Sequence, residues 1–343
     1  MSQPVVSYAR QTAHYFDRPH EAPPGGPVSS TAAWRGERMA GDPSWRAVLS
    51  EDQIAEIEAA LDRVERRGRP AAELTASDFP LPTLSAEIDR WREALVRGRG
   101  FQVVSGVPVE RWTRERAETF FWCFGLHVGR PGAQNVSGDL LGHVCDTGES
   151  AEDPFVRLYR TRSDIAYHCD AADAVGLLCL QPALKGGASR IVSSVTVFNE
   201  LVTRRPDLAE RLFEPFLLDI RNEDSSGALR AIPIPPCRYA EGTLRTFYHS
   251  DYFRSVVRHE GIEIGPLEQE VLDVYEEIAA SPDLYLDMEL ATGDVQLLSN
   301  HYILHARTAY EDHPDPARRR HLLRLWLSLD PGAARPSAAG SRP

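Results

Sequence analysis

The sequence predicts a mainly β domain with helices packed on its outside. Three observations point there: amphipathic helical patterns gather before residue 100, short apolar runs bounded by Gly and Pro recur from residue 101 onward, and long polar connections separate those runs. At 343 residues, 42% hydrophobic and 26% charged, the chain is long enough to bury a large core. We divide it into a flexible N-terminal arm (1–45), one domain (46–330) and a flexible tail (331–343). Within the domain, a helical layer (46–100) precedes a strand-rich core (101–330) that carries an insertion at about 197–285.

The arm is rich in Pro, Gly, Ser and Ala, a composition that buries too little apolar surface to order itself, and we expect it to drape on the body. Ser50 to Gln53 has the form of a capping box, and Ile54, Ile57, Leu61 and Val64 follow at helical spacing. A second helix carries Leu84, Ile88, Trp91 and Leu95 and stops at Gly98 and Gly100. Phe101–Val107 reads as a strand, and Thr113 then caps a helix through Phe120, Phe121 and Phe124 up to Gly125. Val175–Leu180 and Arg190–Val192 read as strands flanking Gly186 and Gly187, and a helix from Thr196 to Phe213 breaks near Pro206. The insertion holds a polar, Pro-rich stretch (222–238), the aromatic cluster Phe247–Phe253 and a helix opened by Pro266.

Chemistry concentrates at His168-Cys169-Asp170. In an extended chain residues i and i+2 point the same way, so an imidazole and a carboxylate reach one point in space and supply two thirds of a facial triad for iron(II). The candidate third ligand is His305, which closes the apolar run that begins at Val295. By the same alternation Cys169 points away. His301 and His305 have a helical zinc-protease spacing, but no Glu follows His301 and the run before it favours a strand.

Read as a strand, 320–329 places His321, Leu323, Leu325 and Leu327 on one face and Arg320, Leu322, Arg324 and Trp326 on the other. Bulky apolar groups on both faces imply burial of both guanidinium groups, which then need anions opposite them. Internal carboxylates or a bound dicarboxylate both satisfy that need.

The ordered set HxD, distal His and basic strand resembles the iron(II) and 2-oxoglutarate dependent dioxygenases, in particular the taurine dioxygenase and clavaminate synthase-like superfamily, from about Phe101 to Leu329. The resemblance implies a double-stranded β-helix of the jelly-roll kind. It implies iron ligation by His168, Asp170 and His305, and a 2-oxoglutarate site built from Ser189 of Gly186-Gly187-Ala188-Ser189 with Arg320 and Arg324. Asn300 matches as a residue supporting the ligands. Because the loop 306–319 is longer than in taurine dioxygenase, which arginine takes which carboxylate stays open.

The implied reaction consumes O2 and 2-oxoglutarate, releases succinate and CO2 and oxidises an unactivated C–H bond, by default hydroxylating it. The expected substrate is a small, carboxylate-bearing metabolite or amino acid, with Asn135, Tyr248 and Tyr252 as candidate contacts and the 222–253 segment as a lid. Two other readings are a metal-binding jelly-roll protein without catalysis and an iron oxygenase that uses no 2-oxo acid; Ser189 with the arginine pair favours the first reading over both. An intact Asp170 argues against halogenation.

The net charge of −12 tells against a nucleic-acid substrate. Five cysteines without a CxxC pair favour free thiols over a disulfide framework, and neither an apolar run of membrane-spanning length nor a signal-peptide pattern is present. These features predict a cytoplasmic enzyme with no membrane partner; homo-oligomerisation is left open.

Overall fold

The computed structural model describes residues 5–153, 155–221 and 229–329. Helix α1 (Tyr8–Phe16) is capped by Ser7, and α2 (Gly36–Ala40) leads into strand β1 (Arg46–Val48). Helix α3 (Glu51–Arg67) opens on the Ser50–Gln53 capping box and closes on Gly68, whose φ of +59° suits glycine. Its Ile57, Leu61 and Val64 pack in one cluster with Ile88, Trp91 and Leu95 of α4 (Ser85–Val96). Strand β2 (Phe101–Ser105) and helix α5 (Arg114–Val128) follow. Helix α5 runs three residues past Gly125, where a Cβ would meet Leu325 Cδ1 at 2.6 Å. That glycine lets the helix approach the sheet and does not end it.

Next come β3 (Arg130–Gly132), β4 (Gly142–Val144), β5 (Ile165–His168), β6 (Ala174–Gln181), β7 (Lys185–Gly186) and β8 (Ser189–Ser193). Helices α6 (Ser194–Arg204) and α7 (Pro206–Arg211) break at Pro206 as expected. The insertion continues with β9 (Phe216–Asp219), β10 (Ala231–Ile234), β11 (Cys237–Ala240), β12 (Thr243–Thr246), α8 (Ser250–Arg254) and α9 (Pro266–Ala279). The chain returns through β13 (Tyr285–Met288), β14 (Val295–Ser299), β15 (Ile303–Arg307), β16 (Tyr310–Glu311) and β17 (His321–Ser328).

Two sheets carry the architecture. A seven-stranded sheet runs β1-β2-β14-β6-β17-β3 with β4 also on β17, and a four-stranded sheet runs β13-β8-β15-β5. Strand β17 shows the two faces read from its sequence. Leu323, Leu325 and Leu327 pack with Phe121 and Phe124 of α5, whereas Trp326 joins the cluster that holds Ile191 and Leu304 of the smaller sheet. The Ser189 hydroxyl donates to Gln296 Oε1 at 3.0 Å and so ties β8 of one sheet to β14 of the other.

Two expectations need correction. Helical residues outnumber strand residues, so the fold is mixed rather than mainly β. Residues 5–45 are not a loose arm: Tyr15, Val28 and Trp34 are buried in the largest core cluster. A few aromatic residues bury enough surface each to seat a Pro- and Gly-rich segment that average composition marks as unstructured. The Pro-rich stretch also pairs, since Ala231–Ile234 lies antiparallel to Phe216–Asp219. Residues 222–228 and the 331–343 tail lie outside the described residues. Among the described residues, no helix is long and apolar enough to cross a membrane.

Candidate metal and cosubstrate site

His168 ends β5 and lies directly across from His305 of β15 in antiparallel register. Cross-strand neighbours have closely spaced Cβ atoms, and the two imidazole centroids are 4.1 Å apart. Beyond the strand end, Asn300 shapes the chain at Asp170: its Oδ1 accepts from the Asp170 N–H at 3.1 Å and its Nδ2 donates to the Ala172 carbonyl at 2.9 Å. Ligand atoms of His168, Asp170 and His305 thereby lie within 4.8 Å of one another. Cys169 points away, its sulfur 3.6 Å from the Ile303 carbonyl, and burial pushes its thiol up to about 12.

The protonation states suit a cation. His168 Nδ1 lies 2.9 Å from the Ala166 carbonyl, which fixes the tautomer that leaves Nε2 with its lone pair. Burial, then the His168 imidazole, pushes His305 down to about 3, so it is neutral at pH 7. Burial opposes ionisation of Asp170, yet Arg324 and the two histidines outweigh it and hold the carboxyl below its usual range. Asp170 Oδ2 is buried without a hydrogen-bond partner among the described residues and stands 3.7 Å from His305 Nε2. An orphaned carboxylate oxygen beside two imidazole nitrogens is a donor set that fits iron(II).

A small cavity of about 60 Å³ opens from this triad, lined also by Ser189, Arg307, Arg320 and Arg324. Arg320 precedes β17, 6% exposed, with Nη1 unpartnered among the described residues. Gly187, at φ +72°, makes room for it: a Cβ there would stand 3.1 Å from Arg320 Nε. Arg324 donates from Nε to Gln134 Oε1 at 2.8 Å, and its Nη1 lies 3.4 Å from Asp170 Oδ1. Arg307, absent from the sequence-derived set, is the third cation. Its Nη2 holds the Thr161 carbonyl at 2.9 Å, while Nε and Nη1 are unpartnered among the described residues. Burial, then the charge of Arg320, pushes it down to about 10. Both guanidinium groups lie over the ring of Tyr310, Arg307 at 4.9 Å and Arg320 at 5.1 Å from its centroid. The i+2 relation of Arg307 to His305 on one strand is the signal that could have found it.

A larger cavity of about 250 Å³ borders Asp170 and is lined by His249, Tyr252, Phe247, Leu218, Ile232 and Trp326 among others. Tyr252 stacks on His249 at 3.7 Å, and His249 sits 5.0 Å from the His168 ring. Tyr248 is elsewhere. Fully buried, it hydrogen-bonds Glu276 of α9 at 2.8 Å and packs on Tyr275, so it belongs to the core and is corrected as a substrate contact. Asn135 is spent on a local turn with Asp139 and lines neither cavity; its neighbour Gln134 is the residue that reaches the site.

Comparison with known proteins agrees with this geometry. Residues 67–326 match the model of the taurine catabolism dioxygenase TauD, TfdA family. The chain belongs to that family. It is a 2-oxoglutarate-dependent non-haem iron dioxygenase. It is 31% identical over 316 residues to the FR-33289 synthase of Streptomyces rubellomurinus, covering 91% of this chain and 93% of that one. It is 29% identical over 321 residues to the taurine hydroxylase-like protein SAT17 of Stachybotrys chartarum, covering 90% and 82%. An asparagine oxygenase solved with Fe(II), 2S,3S-3-hydroxyasparagine and succinate superposes with a TM-score of 0.66 at 14% identity, covering 83% of this chain and 93% of that one.

Proposed function

We propose that this TauD-family enzyme holds iron(II) on His168, Asp170 and His305, binds 2-oxoglutarate in the arginine-lined cavity and hydroxylates a C–H bond of a small metabolite in the larger cavity. The two main sheets are the halves of a jelly roll in this reading, and the cytoplasm is its place of action. One observation carries it. Three buried guanidinium groups line the small cavity, and Asp170 is the one carboxylate among the residues lining it. Uncompensated buried cations are costly, and a dianion restores neutrality. A metal-binding protein without a co-substrate would not need that surplus.

Iron(II) on these residues with 2-oxoglutarate would supply, with O2 as oxidant, oxidative decarboxylation to succinate and CO2 coupled to substrate oxidation. The chain supplies placement. Ser189 and Arg320 hold the distal carboxylate, Arg307 adds its positive field, and Arg324 steadies Asp170. Asn300 fixes the turn that aims Asp170, and Tyr252 with His249 excludes water from the chamber. Hydroxyasparagine in the asparagine oxygenase structure supports an amino acid or related carboxylated metabolite as substrate class. The test is anaerobic addition of iron(II) and 2-oxoglutarate, which should give a visible metal-to-ligand charge-transfer band. Stoichiometric iron binding with no band on adding 2-oxoglutarate would refute the cosubstrate assignment.

A further inference from the structure

Helix α1 lies before residue 67, where the family match begins, and yet it walls the larger cavity. Tyr8, Thr12 and Phe16 line that cavity at i, i+4 and i+8, the spacing of one helix face. Other residues of the helix, and Arg18 just past its end, bolt it down. Gln11 Nε2 donates to the Ala133 carbonyl at 3.0 Å, and His14 and Arg18 both reach Asp173. The Tyr15 hydroxyl donates to the carbonyl of Asn300, the residue that fixes Asp170, at 2.9 Å. The wall is therefore registered to the triad through a single residue.

Thr12 is the cavity-facing residue of α1 that carries an orphaned polar atom, as Asp170, His249 and Trp326 do elsewhere on the lining. Its Oγ1 is buried and has no hydrogen-bond partner among the described residues, although a helical threonine ordinarily bonds back to a carbonyl one turn earlier. Its neighbours on the helix face pack on aromatic rings: Tyr8 stacks over Trp326, and Phe16 meets Phe247 edge-on at 4.8 Å. Buried hydroxyls without a partner are disfavoured unless a ligand completes them.

Resting on the oxygenase reading above, we propose that α1 is the substrate-selecting wall of this enzyme. The part of the substrate that meets it is an uncharged apolar body, held by Tyr8, Phe16 and Phe247, with one hydrogen-bonding group on Thr12. Thr12 is thus a specificity residue outside the catalytic set.

The probe is 4-(trifluoromethyl)benzyl alcohol, followed by fluorine NMR on the full-length protein with 2-oxoglutarate, before and after loading manganese(II). Saturable binding to the wild type is expected, with added broadening from the ion. Thr12→Val should weaken binding about tenfold, the worth of one hydrogen bond, while Thr12→Ser retains it. Thr12→Trp, whose indole fills the chamber, should abolish binding and leave 2-oxoglutarate affinity unchanged. Undetectable binding to the folded wild type, or equal binding to wild type, Thr12→Val and Thr12→Trp, would overturn the proposal. Intact, Thr12-dependent binding without broadening by manganese would instead refute the metal assignment and leave the role of α1 standing.

Discussion

Arg324 Nη1 lies 3.4 Å from Asp170 Oδ1, so one guanidinium serves both that carboxylate and the wall of the small arginine-lined cavity. Arg320 lines the same cavity without touching the triad. The two arginines should therefore fail differently. Arg320→Met is expected to raise the 2-oxoglutarate requirement by about a hundredfold or more, as for loss of a buried charged partner, with iron affinity unchanged. Arg324→Met should weaken iron as well, by about 10–100-fold, because a residue that orients a ligand is lost. Parallel titrations of iron(II) and 2-oxoglutarate separate the two; equal profiles would reject the division.

His168→Ala and His305→Ala each leave two donors where three are needed for facial coordination. Both variants should fold, since neither imidazole is a large part of the core, and both should lose stoichiometric iron and turnover. Metal analysis after purification under iron(II) checks this. Normal iron content in either would reject that ligand.

Tyr248 and Tyr252 lie four residues apart in different surroundings, one in the core and one on the cavity lining. Tyr248→Ala should cost about 3–5 kcal/mol of stability, as for other large-to-small core changes, because it empties the space against Tyr275 and strips Glu276 of a donor. Tyr252→Ala should melt near the wild-type temperature and instead raise 2-oxoglutarate consumption relative to product formed. The pair is scored by thermal melts beside a succinate-to-product ratio.

Asp173 accepts from Leu329 N–H at 2.8 Å, pairs with Arg18, and meets His301 at 2.9 Å and His14 at 3.0 Å. Burial opposes its charge, but these partners hold its carboxyl far below the usual range. A depressed folded-state pKa gives stability that is whole above the unfolded-state value and is lost as pH falls below it. Asp173→Asn should therefore be destabilised at neutral pH, and the gap to wild type should close by up to about 1.4 kcal/mol per unit below about pH 4. His301, lowered by burial, is expected to erode stability in both proteins as pH drops below its ordinary value near about 6.5. Urea unfolding as a function of pH checks the convergence.

Local pattern was enough for much of this molecule. The two faces of β17 and the capping box at Ser50 are properties of one element and its period, and each is present in the folded chain; His168 and Asp170 do converge, but Asp170 lies past the strand end and is aimed by Asn300. Period says which residues share a face; it does not say what that face meets. Packing between distant elements decided that Tyr248 turns to α9 while Tyr252 turns to the cavity, that Gln134 and not Asn135 reaches Arg324, and that Arg307 and Arg320 share one tyrosine ring. The same holds for α1. Its seat on Asn300, Ala133 and Asp173 joins groups more than a hundred residues apart, and such contacts form only when the whole core closes around them.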